Sequence, residues 1–395
     1  MERVIGKIGR AAGVLVFAIA LPILYLLWPF KKIRFSNLFE ERIGHLITEP
    51  FLLRRQLTQQ GRQNDTTDIF IISHPANAQA ARMVGRAVTV WNSHLLRRLF
   101  FDVMPLMRRT RFYAETPQPI PAHDLYSMDA PRPAFTAEEE ACGQEGLRRL
   151  GIGSDDWFVC FHSRTPAYLG QTWNTVRDSR IDDYIPAARW IAEQGGFAVR
   201  MGTPTEAPLP DLGPRVIDYA CKHRDDFMDV YLLAHCRFFI GSTSGPICIP
   251  VLMGIPSGMG NKMPYYLTGM GKHTLYTPKL LRSQASGAIL SFPEIRALGL
   301  YDSAAPDDDR PWNPATYLAM GLDIIDTPPE DLTDLAKDLL DMANGILPSA
   351  EAHHLQERYH ALHTDGNLAD CAGRIGPRFI VKHRHLLLES ATPSP

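Results

Sequence analysis

The chain has 395 residues, of which 45% are apolar and 21% are charged. This length exceeds that of one typical hydrophobic core and favours two domains, and the composition is that of an ordinary globular protein. The six cysteines show no C-x-x-C or other metal-ligand spacing, which argues against a cysteine-bound metal and favours reduced core cysteines.

The net charge of −2 conceals an uneven distribution. Residues 1–112 contain 17 Lys and Arg against 7 Asp and Glu, whereas the remainder contains 24 against 36. A basic first part favours an anionic partner, either a membrane surface or nucleic acid. No nucleic-acid-binding motif accompanies these residues, so an anionic membrane surface is the predicted partner and nucleic acid is not.

The first predicted element is an uncharged segment of 20 residues, Ala11–Phe30. As a helix it extends about 30 Å, which matches the hydrocarbon thickness of a bilayer. Lys31 and Lys32 follow instead of a cleavage site, so the sequence predicts a retained membrane anchor in residues 1–35. Basic residues on both sides and Pro22 leave its topology open between spanning and re-entrant, and a buried core helix is the alternative.

The next elements predict an N-terminal Rossmann-like domain at residues 36–135. "DIFIIS" (68–73) reads as a strand, "NAQAARMVG" as a helix and "AVTVW" as a second strand. Five arginines alternate with Leu, Phe and Met in residues 95–112, which favours contact with anionic headgroups; a solvated helix face is the alternative. A Pro-rich stretch at 113–135 reads as a linker.

Strands alternate with helices more regularly in residues 136–345. The strands are predicted at "WFVCFH", "FAVRMG", "RVIDYA" and "RFFIG", with helices at "RIDDYIPAARWIAEQGG", "DDFMDVYLLAHC" and "STSGPICIPVLMG". This rhythm predicts an α/β fold with a parallel, doubly wound sheet, here a second Rossmann-like domain. Residues 346–395 are predicted to form a C-terminal helix and tail.

Two strand ends carry candidate ligand-binding residues. His162 and Arg164 follow one predicted strand, and Ser242-Thr243-Ser244-Gly245 follows another. Ligands bind at the carboxyl ends of the strands in such sheets, hydroxyls cap helices, and an arginine pairs with a diphosphate through two hydrogen bonds. The pair of stretches predicts a pyrophosphate site that needs no metal, although S-T-S-G alone also fits a capped helix.

The blocks "FVCFHSRTPAYLG" and "DDFMDVYLLAHCRFFIGSTSGPICIPVLMGIP" resemble a bacterial family of predicted glycosyltransferases. "ERIGHLITEPFLLRR" and "GLDIIDTPPEDL" resemble that family's opening and closing motifs, so the resemblance covers about residues 41–340. The His-x-Arg and Ser/Thr-rich signatures are similar to those of metal-independent fucosyltransferases. That similarity implies a GT-B-like fold of two Rossmann-like domains and an inverting transfer.

The resemblance also implies roles for individual residues. Arg164 would hold the β-phosphate of the donor and His162 would shape its loop, while five further side chains and one glycine would complete the donor site: Arg177, Arg200, Ser242, Thr243, Ser244 and Gly245. The family pattern has an acid near position 180, where this chain has Arg180, with Asp182 nearby.

An inverting transfer needs a base for the acceptor hydroxyl. The sequence leaves this residue open, with His45 and Asp182 as candidates. No cofactor and no metal are expected, because the acids of "PDDDRPW" follow no strand. Four histidines, at positions 353, 354, 360 and 363, are expected on one surface helix rather than at a metal site.

Together these patterns predict a glycosyltransferase anchored in the inner membrane with its catalytic part in the cytoplasm. Its donor would be a nucleotide sugar of hexosyl or fucosyl type, and its acceptor a lipid-linked or surface polysaccharide. The alternative is a non-catalytic, membrane-bound protein that binds a nucleotide sugar.

Overall fold

The structure is a computed structural model that describes most of the chain. The described residues are 2–117, 123–128, 132–165, 175–203, 207–267, 269–302, 310–363 and 373–388, without the side chains of 2–12 and 123–124. The chain divides into two compact units. Unit 1 comprises Met1–Pro119 and Met128–Phe135, and unit 2 comprises Ile120–Ser127 and Thr136–Pro395.

Unit 1 is built on a parallel three-stranded sheet in the order β1-β2-β3. Its elements are α1 (Glu2–Leu27), β1 (Ile33–Ser36), α2 (Ile43–Gln59), β2 (Thr67–Ile72), α3 (Ala78–Ala87), β3 (Thr89–Asn92) and α4 (His94–Met107). Asn77 accepts a hydrogen bond from the Ala80 N–H and so caps α3, as a short polar side chain at this position commonly does. The predicted strand–helix–strand sequence of this region is confirmed.

Unit 2 contains a larger parallel sheet with helices packed against it. Its strands are β4 (Phe158–His162), β5 (Phe197–Arg200), β6 (Val216–Ile217), β7 (Phe239–Gly241), β8 (Ser257–Lys262), β9 (Thr274–Pro278), β10 (Leu280–Ser283), β11 (Leu322–Ile325) and β12 (Arg374–Ile375). The seven-stranded sheet has the order β12-β9-β8-β7-β4-β5-β6 with parallel pairings throughout, and β10 pairs antiparallel with β11. The predicted α/β class with parallel sheets is therefore confirmed.

The helices of unit 2 cover this sheet. They are α5 (His123–Ser127), α6 (Ala137–Arg149), α7 (Ile185–Glu193), α8 (Tyr219–Lys222), α9 (Asp226–His235), α10 (Cys248–Met253), α11 (Phe292–Ala297), α12 (Pro314–Ala319), α13 (Pro329–Ala343), α14 (Ala350–His360) and α15 (Pro377–Lys382). Short 3₁₀ turns lie at Ile181–Tyr184, Gly245–Ile247, Arg310–Trp312 and Arg384–Leu387. Apolar side chains of α7 and α13 pack with those of β4, β5 and β7 in one fully buried cluster, which fixes the positions of the strand ends.

Two secondary-structure predictions need correction. "RVIDYA" forms only the two-residue strand β6, and α8 begins at Tyr219. The four histidines do not share a surface helix: α14 ends at His360, and the His363 side chain is buried, 4.5 Å from the Tyr301 ring and 4.9 Å from the Tyr359 ring between centroids.

The predicted membrane anchor is not supported. In the part of the chain that the structure describes, no helix combines the length and the apolar character needed to cross a bilayer. The described part of α1 instead packs on unit 1. A Cβ at Gly13 would lie 3.3 Å from the Leu99 carbonyl oxygen of α4, and Phe17 joins the apolar cluster around Ile69 and Phe100.

Candidate functional site

The two strand ends singled out in the sequence are neighbours. β4 and β7 pair in parallel, with His162 opposite Gly241, and the Ser242 N–H donates to the His162 carbonyl at 3.1 Å. Two residues after His162, the Arg164 backbone N–H donates to the Ser242 hydroxyl oxygen at 2.7 Å. The two ends are therefore joined by backbone and side-chain hydrogen bonds.

Gly241 permits this close approach. A Cβ at this position would lie 2.5 Å from the carbonyl oxygen of His162, a distance that real Cβ atoms do not adopt. Because the clashing atom belongs to the backbone of a central strand, it cannot move aside as a flexible side chain would. A glycine at the end of β7 is thus required by the register of the two strands.

The hydroxyl groups after β7 lie in two kinds of environment. Ser242 is completely buried and accepts from Arg164, and the Ser244 hydroxyl donates to the Ser242 carbonyl at 3.0 Å. The Thr243 hydroxyl is buried and makes no hydrogen bond within the described residues. Buried hydroxyls are normally paired, so Thr243 is equipped to donate to a bound ligand.

The predicted helix after this stretch is shorter than expected. Gly245–Ile247 forms a 3₁₀ turn and α10 follows, and Ser244 precedes that turn without a side-chain capping bond. Pro250 lies in the first turn of α10, where its missing N–H costs no intrahelical hydrogen bond. The hydroxyl groups of Ser242, Thr243 and Ser244 therefore do not cap a helix.

The Arg164 side chain is held by the segment that follows the loop. Its Nη1 donates to the Thr175 hydroxyl at 2.9 Å and forms a close ion pair with Asp178, whose other carboxylate oxygen accepts from the Thr175 N–H at 2.6 Å. Arg164 is only 8% exposed. Pairing with Asp178 allows this guanidinium to stay charged while it is largely removed from water.

Lys279, which the sequence interpretation missed, joins the same cluster. Its ammonium group donates to the Asp178 carbonyl at 2.7 Å and pairs with the Asp326 carboxylate at 2.7 Å. Lys279 follows β9 directly and is 4% exposed. The signal in the sequence was a lysine directly after the apolar stretch "TLYTP", but the contact with Asp178 spans 101 residues and is not visible there.

The other predicted donor-site residues occupy different surroundings. His162 is half-buried and its Nδ1 donates to the Met201 carbonyl at 3.0 Å, so a neutral ring carries its proton on Nδ1. Arg177 lies with its guanidinium 4.7 Å from the centre of the Trp312 ring. Gly245 begins the 3₁₀ turn beside Ser244.

Arg200 is held inside unit 2. It is 1% exposed, and its Nη1 donates to the Ala207 carbonyl at 2.9 Å and contacts the Asp218 carboxylate at 3.4 Å. The second oxygen of Asp218 accepts from the Leu209 N–H at 2.8 Å. This set of contacts fixes the chain after β5, and the predicted donor-binding role of Arg200 stays a prediction.

The acids after Arg180 differ in their burial. Asp182 is exposed and pairs with the exposed Arg180 at 3.1 Å. Partial burial raises the pKa of Asp183, whose carboxyl group also senses the charges of Arg180, Asp326 and Lys279. Asp183 therefore lies within electrostatic range of Asp326 and Lys279.

His45, the candidate base, lies in unit 1 near the start of α2. Its Nδ1 is 2.6 Å from the Glu49 carboxylate, which is one helical turn further on and is 1% exposed. The second oxygen of Glu49 accepts from the Thr116 hydroxyl at 3.3 Å. A buried carboxylate that receives the Nδ1 proton orients an imidazole and leaves Nε2 to accept a proton from another molecule.

Comparison with known proteins supports the fold. The glycosyl transferase family 9 structure from Veillonella parvula DSM 2008 is similar with a TM-score of 0.50 at 12% identity, over 78% of this chain and 97% of that chain. E. coli ADP-heptose lps heptosyltransferase II gives 0.43 at 12% identity over 63% of this chain and 91% of that one, and E. coli heptosyltransferase WaaC with ADP gives 0.35 at 10% over 62% and 91%.

No protein-family model and no curated protein matches the chain, so the resemblance to the bacterial family and to fucosyltransferases stays a prediction. At 12% identity, the similarity to the Veillonella parvula structure concerns the fold alone. The chain thus shares an α/β fold with a glycosyl transferase family 9 structure.

Proposed function

We propose that the protein is a glycosyltransferase that takes a sugar from a nucleotide-sugar donor. The proposal rests on the direct junction of the β4 and β7 ends, where the Arg164 backbone N–H donates to the Ser242 hydroxyl oxygen at 2.7 Å. The side chains of Arg164 and Lys279 beside this junction are buried. The fold shared with a structure described as a glycosyl transferase gives independent support.

The charges at this junction suit a diphosphate. Arg164 and Lys279 are both largely buried and both contact Asp178, and each is held in place by a carboxylate, that of Asp178 for Arg164 and that of Asp326 for Lys279. A departing nucleoside diphosphate gains negative charge, and preorganised cations and hydroxyl donors stabilise that charge without reorganisation. Thr243, with its unsatisfied hydroxyl, and Arg177 at the edge of the cluster are the proposed additional phosphate ligands.

The proposed reaction is a single displacement with inversion and without a required metal. The acceptor oxygen forms a bond to the anomeric carbon, the bond from that carbon to the phosphate oxygen breaks, and the nucleoside diphosphate leaves with the electron pair. The acceptor proton passes to a base. His45 is the proposed base, and its contact with Glu49 at 2.6 Å supports this assignment.

The proposed acceptor is a lipid-linked or surface polysaccharide. The donor sugar class stays open between the hexosyl or fucosyl type that the sequence resemblance implies and a heptose. The names of the E. coli structures, a heptosyltransferase II for ADP-heptose and a heptosyltransferase with ADP, make ADP-heptose a sensible member of any donor panel.

The test is the release of nucleoside diphosphate from a panel of nucleotide sugars, measured by chromatography with acceptor extract, in EDTA and in Mg²⁺. We expect release from one donor in both buffers and a loss of roughly 100-fold or more for Arg164→Ala. Arg237→Ala is the matched control, because this exposed arginine also has a side-chain partner, Asn344, but precedes β7 at the opposite end of the strand.

Three outcomes count against the proposal. If Arg164→Ala retains full turnover, Arg164 does not hold the donor. If turnover requires Mg²⁺, the reaction is not metal-independent. If one nucleotide sugar binds tightly but no extract supports transfer, the protein is the non-catalytic binding protein instead.

A further inference from the structure

The outer side of α1 carries a continuous row of exposed apolar side chains. Leu15 is 63% exposed, Ile19 61%, Ile23 53%, Leu26 74% and Phe30, just beyond the helix end, 88%. Their spacing of three and four residues places them on one side of the helix. Large apolar side chains exposed singly are ordinary, but a row of five along one helix face marks a contact surface.

The opposite side of α1 is already used for packing. Gly13 and Phe17 contact unit 1 through α4 and the β2 cluster, and the Trp28 ring lies edge-on to Phe112 at 5.3 Å. These three positions repeat at helical spacing on the face opposite the exposed row. The helix is thus held to unit 1 by one face while its other face, equally apolar, meets solvent.

α4 packs beside α1. A Cβ at Gly13 would lie 3.3–3.5 Å from atoms of Leu99, Asp102 and Val103 in α4, and α4 also carries the exposed leucines Leu95 and Leu106. Leu95 is 65% exposed and Leu106 is 42% exposed. The helix that packs beside α1 therefore also exposes large apolar side chains.

Positive charge surrounds the end of this surface. Lys31 and Lys32 directly follow the exposed Phe30 and are themselves exposed. The Arg111 guanidinium lies 5.7 Å from the Tyr25 ring centre and 5.4 Å from that of Trp28. The sequence has no acid between residues 3 and 39, so nothing in this stretch offsets these cations.

The positive charge of this surface distinguishes between its two possible partners, a second copy of the chain and an anionic bilayer. A second copy of the chain would bring the same cations to the contact and would add repulsion. An anionic bilayer offers acyl chains for the apolar row and phosphates for the cations, while Trp and Tyr rings favour the level of the headgroups.

We propose that this surface, the α1 face, lies flat in the headgroup region of an anionic lipid bilayer. The row from Leu15 to Phe30 enters the upper acyl region, with α1 parallel to the membrane plane. Lys31, Lys32 and Arg111 contact lipid phosphates. This is interfacial binding of the kind that amphipathic helices make, and it places unit 1 against the membrane without a spanning segment.

The test is flotation of the full-length chain with vesicles of phosphatidylcholine alone or with 30% phosphatidylglycerol. We expect binding to the anionic vesicles and a loss of roughly tenfold or more in the partition coefficient for Leu26→Gln/Phe30→Gln. Lys31→Gln/Lys32→Gln should weaken binding to anionic vesicles by roughly tenfold and reduce the difference between the two vesicle types. Leu318→Gln/Leu347→Gln, which changes two exposed leucines of unit 2, is the matched control and should bind as the wild type does.

Tryptophan fluorescence tests the position of the helix. Lipids brominated near the top of the acyl chain should quench Trp28 more than lipids brominated near the chain end, and Trp28→Phe should abolish that difference. Stronger quenching from the chain end would contradict a helix that lies flat.

Two other results would overturn the proposal. One is equal vesicle binding by the wild type and Leu26→Gln/Phe30→Gln. The other is absence of vesicle binding by the wild type. If light scattering then shows a dimer that Leu26→Gln/Phe30→Gln converts to monomers, a second copy of the chain covers the α1 face. Neither result bears on sugar transfer, since no turnover is measured.

Discussion

Unit 1 and unit 2 depart from ordinary burial in opposite directions. In unit 1, a row of large apolar side chains on α1 is exposed, with Leu26 at 74% and Phe30 at 88%. In unit 2, charged side chains at the strand ends are buried, with Arg164 at 8% and Lys279 at 4%. Exposed apolar rows and buried charges are both costly unless they have partners, so these exceptions are where each unit is expected to bind a surface or a ligand.

The comparison also separates two kinds of buried arginine within unit 2. Arg164 follows the end of β4, next to hydroxyls that belong to another strand. Arg200 is the last residue of β5, and its side chain bonds to the Ala207 carbonyl, the Asp218 carboxylate and the Cys221 thiol in the chain that follows. The first arrangement suits a ligand and the second suits stabilisation of a loop.

The largest effect is expected for His45, the proposed base in unit 1. His45→Asn should reduce turnover by about 10²- to 10⁴-fold while the donor affinity stays within about twofold, because a base acts on the acceptor proton and not on the donor. Glu49→Gln should give a smaller loss, because the imidazole loses the buried carboxylate that orients it. Equal losses of donor affinity in both variants would show that α2 acts in donor binding instead.

A large loss of stability is expected for Arg200→Met. This change leaves the Asp218 carboxylate buried without its arginine, and breaking such a pair costs about 3–5 kcal/mol. Urea unfolding measures the cost. If Arg200→Met keeps its stability and loses donor binding, the predicted donor-site role of Arg200 is correct and the contrast with Arg164 is wrong.

Gly241→Ala should destabilise unit 2 by about 1–3 kcal/mol, because the added Cβ clashes with the His162 backbone and forces β4 and β7 apart. Donor affinity should fall as well, since the Arg164–Ser242 contact depends on that register. Gly85→Ala is the control: a Cβ at this helical position meets nothing within 4 Å and should stabilise the protein by about 0.5–1 kcal/mol. A stable, donor-binding Gly241→Ala variant would contradict the strand-end geometry.

Burial lowers the pKa of His363 to about 3. The ring is neutral in the folded protein but takes up a proton near pH 6.5 when unfolded, so its contribution to stability is complete above that pH. It is lost as the pH falls, by about 1.4 kcal/mol for each unit between pH 6 and pH 4. His363→Gln should flatten this slope relative to the wild type in urea titrations, and an unchanged slope would place the proton uptake elsewhere.

Two buried acids act with the opposite sign. Burial raises the pKa of Asp229 and that of Asp338 to about 6. Each binds more protons in the folded than in the unfolded protein between about pH 4 and pH 6, so their contribution to stability grows as the pH falls through that window. The pH dependence of the free energy of unfolding must therefore be compared between variants rather than interpreted from the wild type alone.

The smallest effect on stability is expected at the exposed row of unit 1. Leu26→Gln should change the free energy of unfolding by no more than about 0.5 kcal/mol, because a side chain that is 74% exposed has little packing to lose. A loss of several kcal/mol in urea unfolding would mean that Leu26 is buried in solution, and the contrast between the two units would fail.

The sequence was sufficient to predict the strand ends but not their surroundings. The apolar run into His162 and the glycine before Ser242 marked the ends of β4 and β7, because strand burial and turn residues are local signals. The roles of Asp178 and Lys279 depend on contacts between distant segments, which no local pattern encodes. Glu49 was within reach of sequence reasoning, since it follows His45 by one helical turn.

The same limit of prediction from local sequence patterns applies to α1. The apolar run of α1 was evident, but its attachment to α4 through Gly13 depends on tertiary packing. An uncharged segment of 20 residues fits a bilayer-spanning helix and a helix with one packed and one exposed face equally well. Only the burial pattern of the folded structure, with one face of α1 packed on unit 1 and the other exposed, distinguishes these two kinds of helix.

The joined ends of β4 and β7 are proposed to bind the diphosphate of the donor. Calorimetric titration of the wild type and of Arg164→Lys with ADP, GDP and UDP tests it most directly, with Arg237→Lys as control. We expect at least one nucleoside diphosphate to bind to the wild type and to Arg237→Lys. Arg164→Lys should bind it roughly tenfold more weakly or worse, because a lysine cannot reproduce the planar fork of the guanidinium. Equal affinity in Arg164→Lys, or no binding of any nucleoside diphosphate to the wild type, would contradict it.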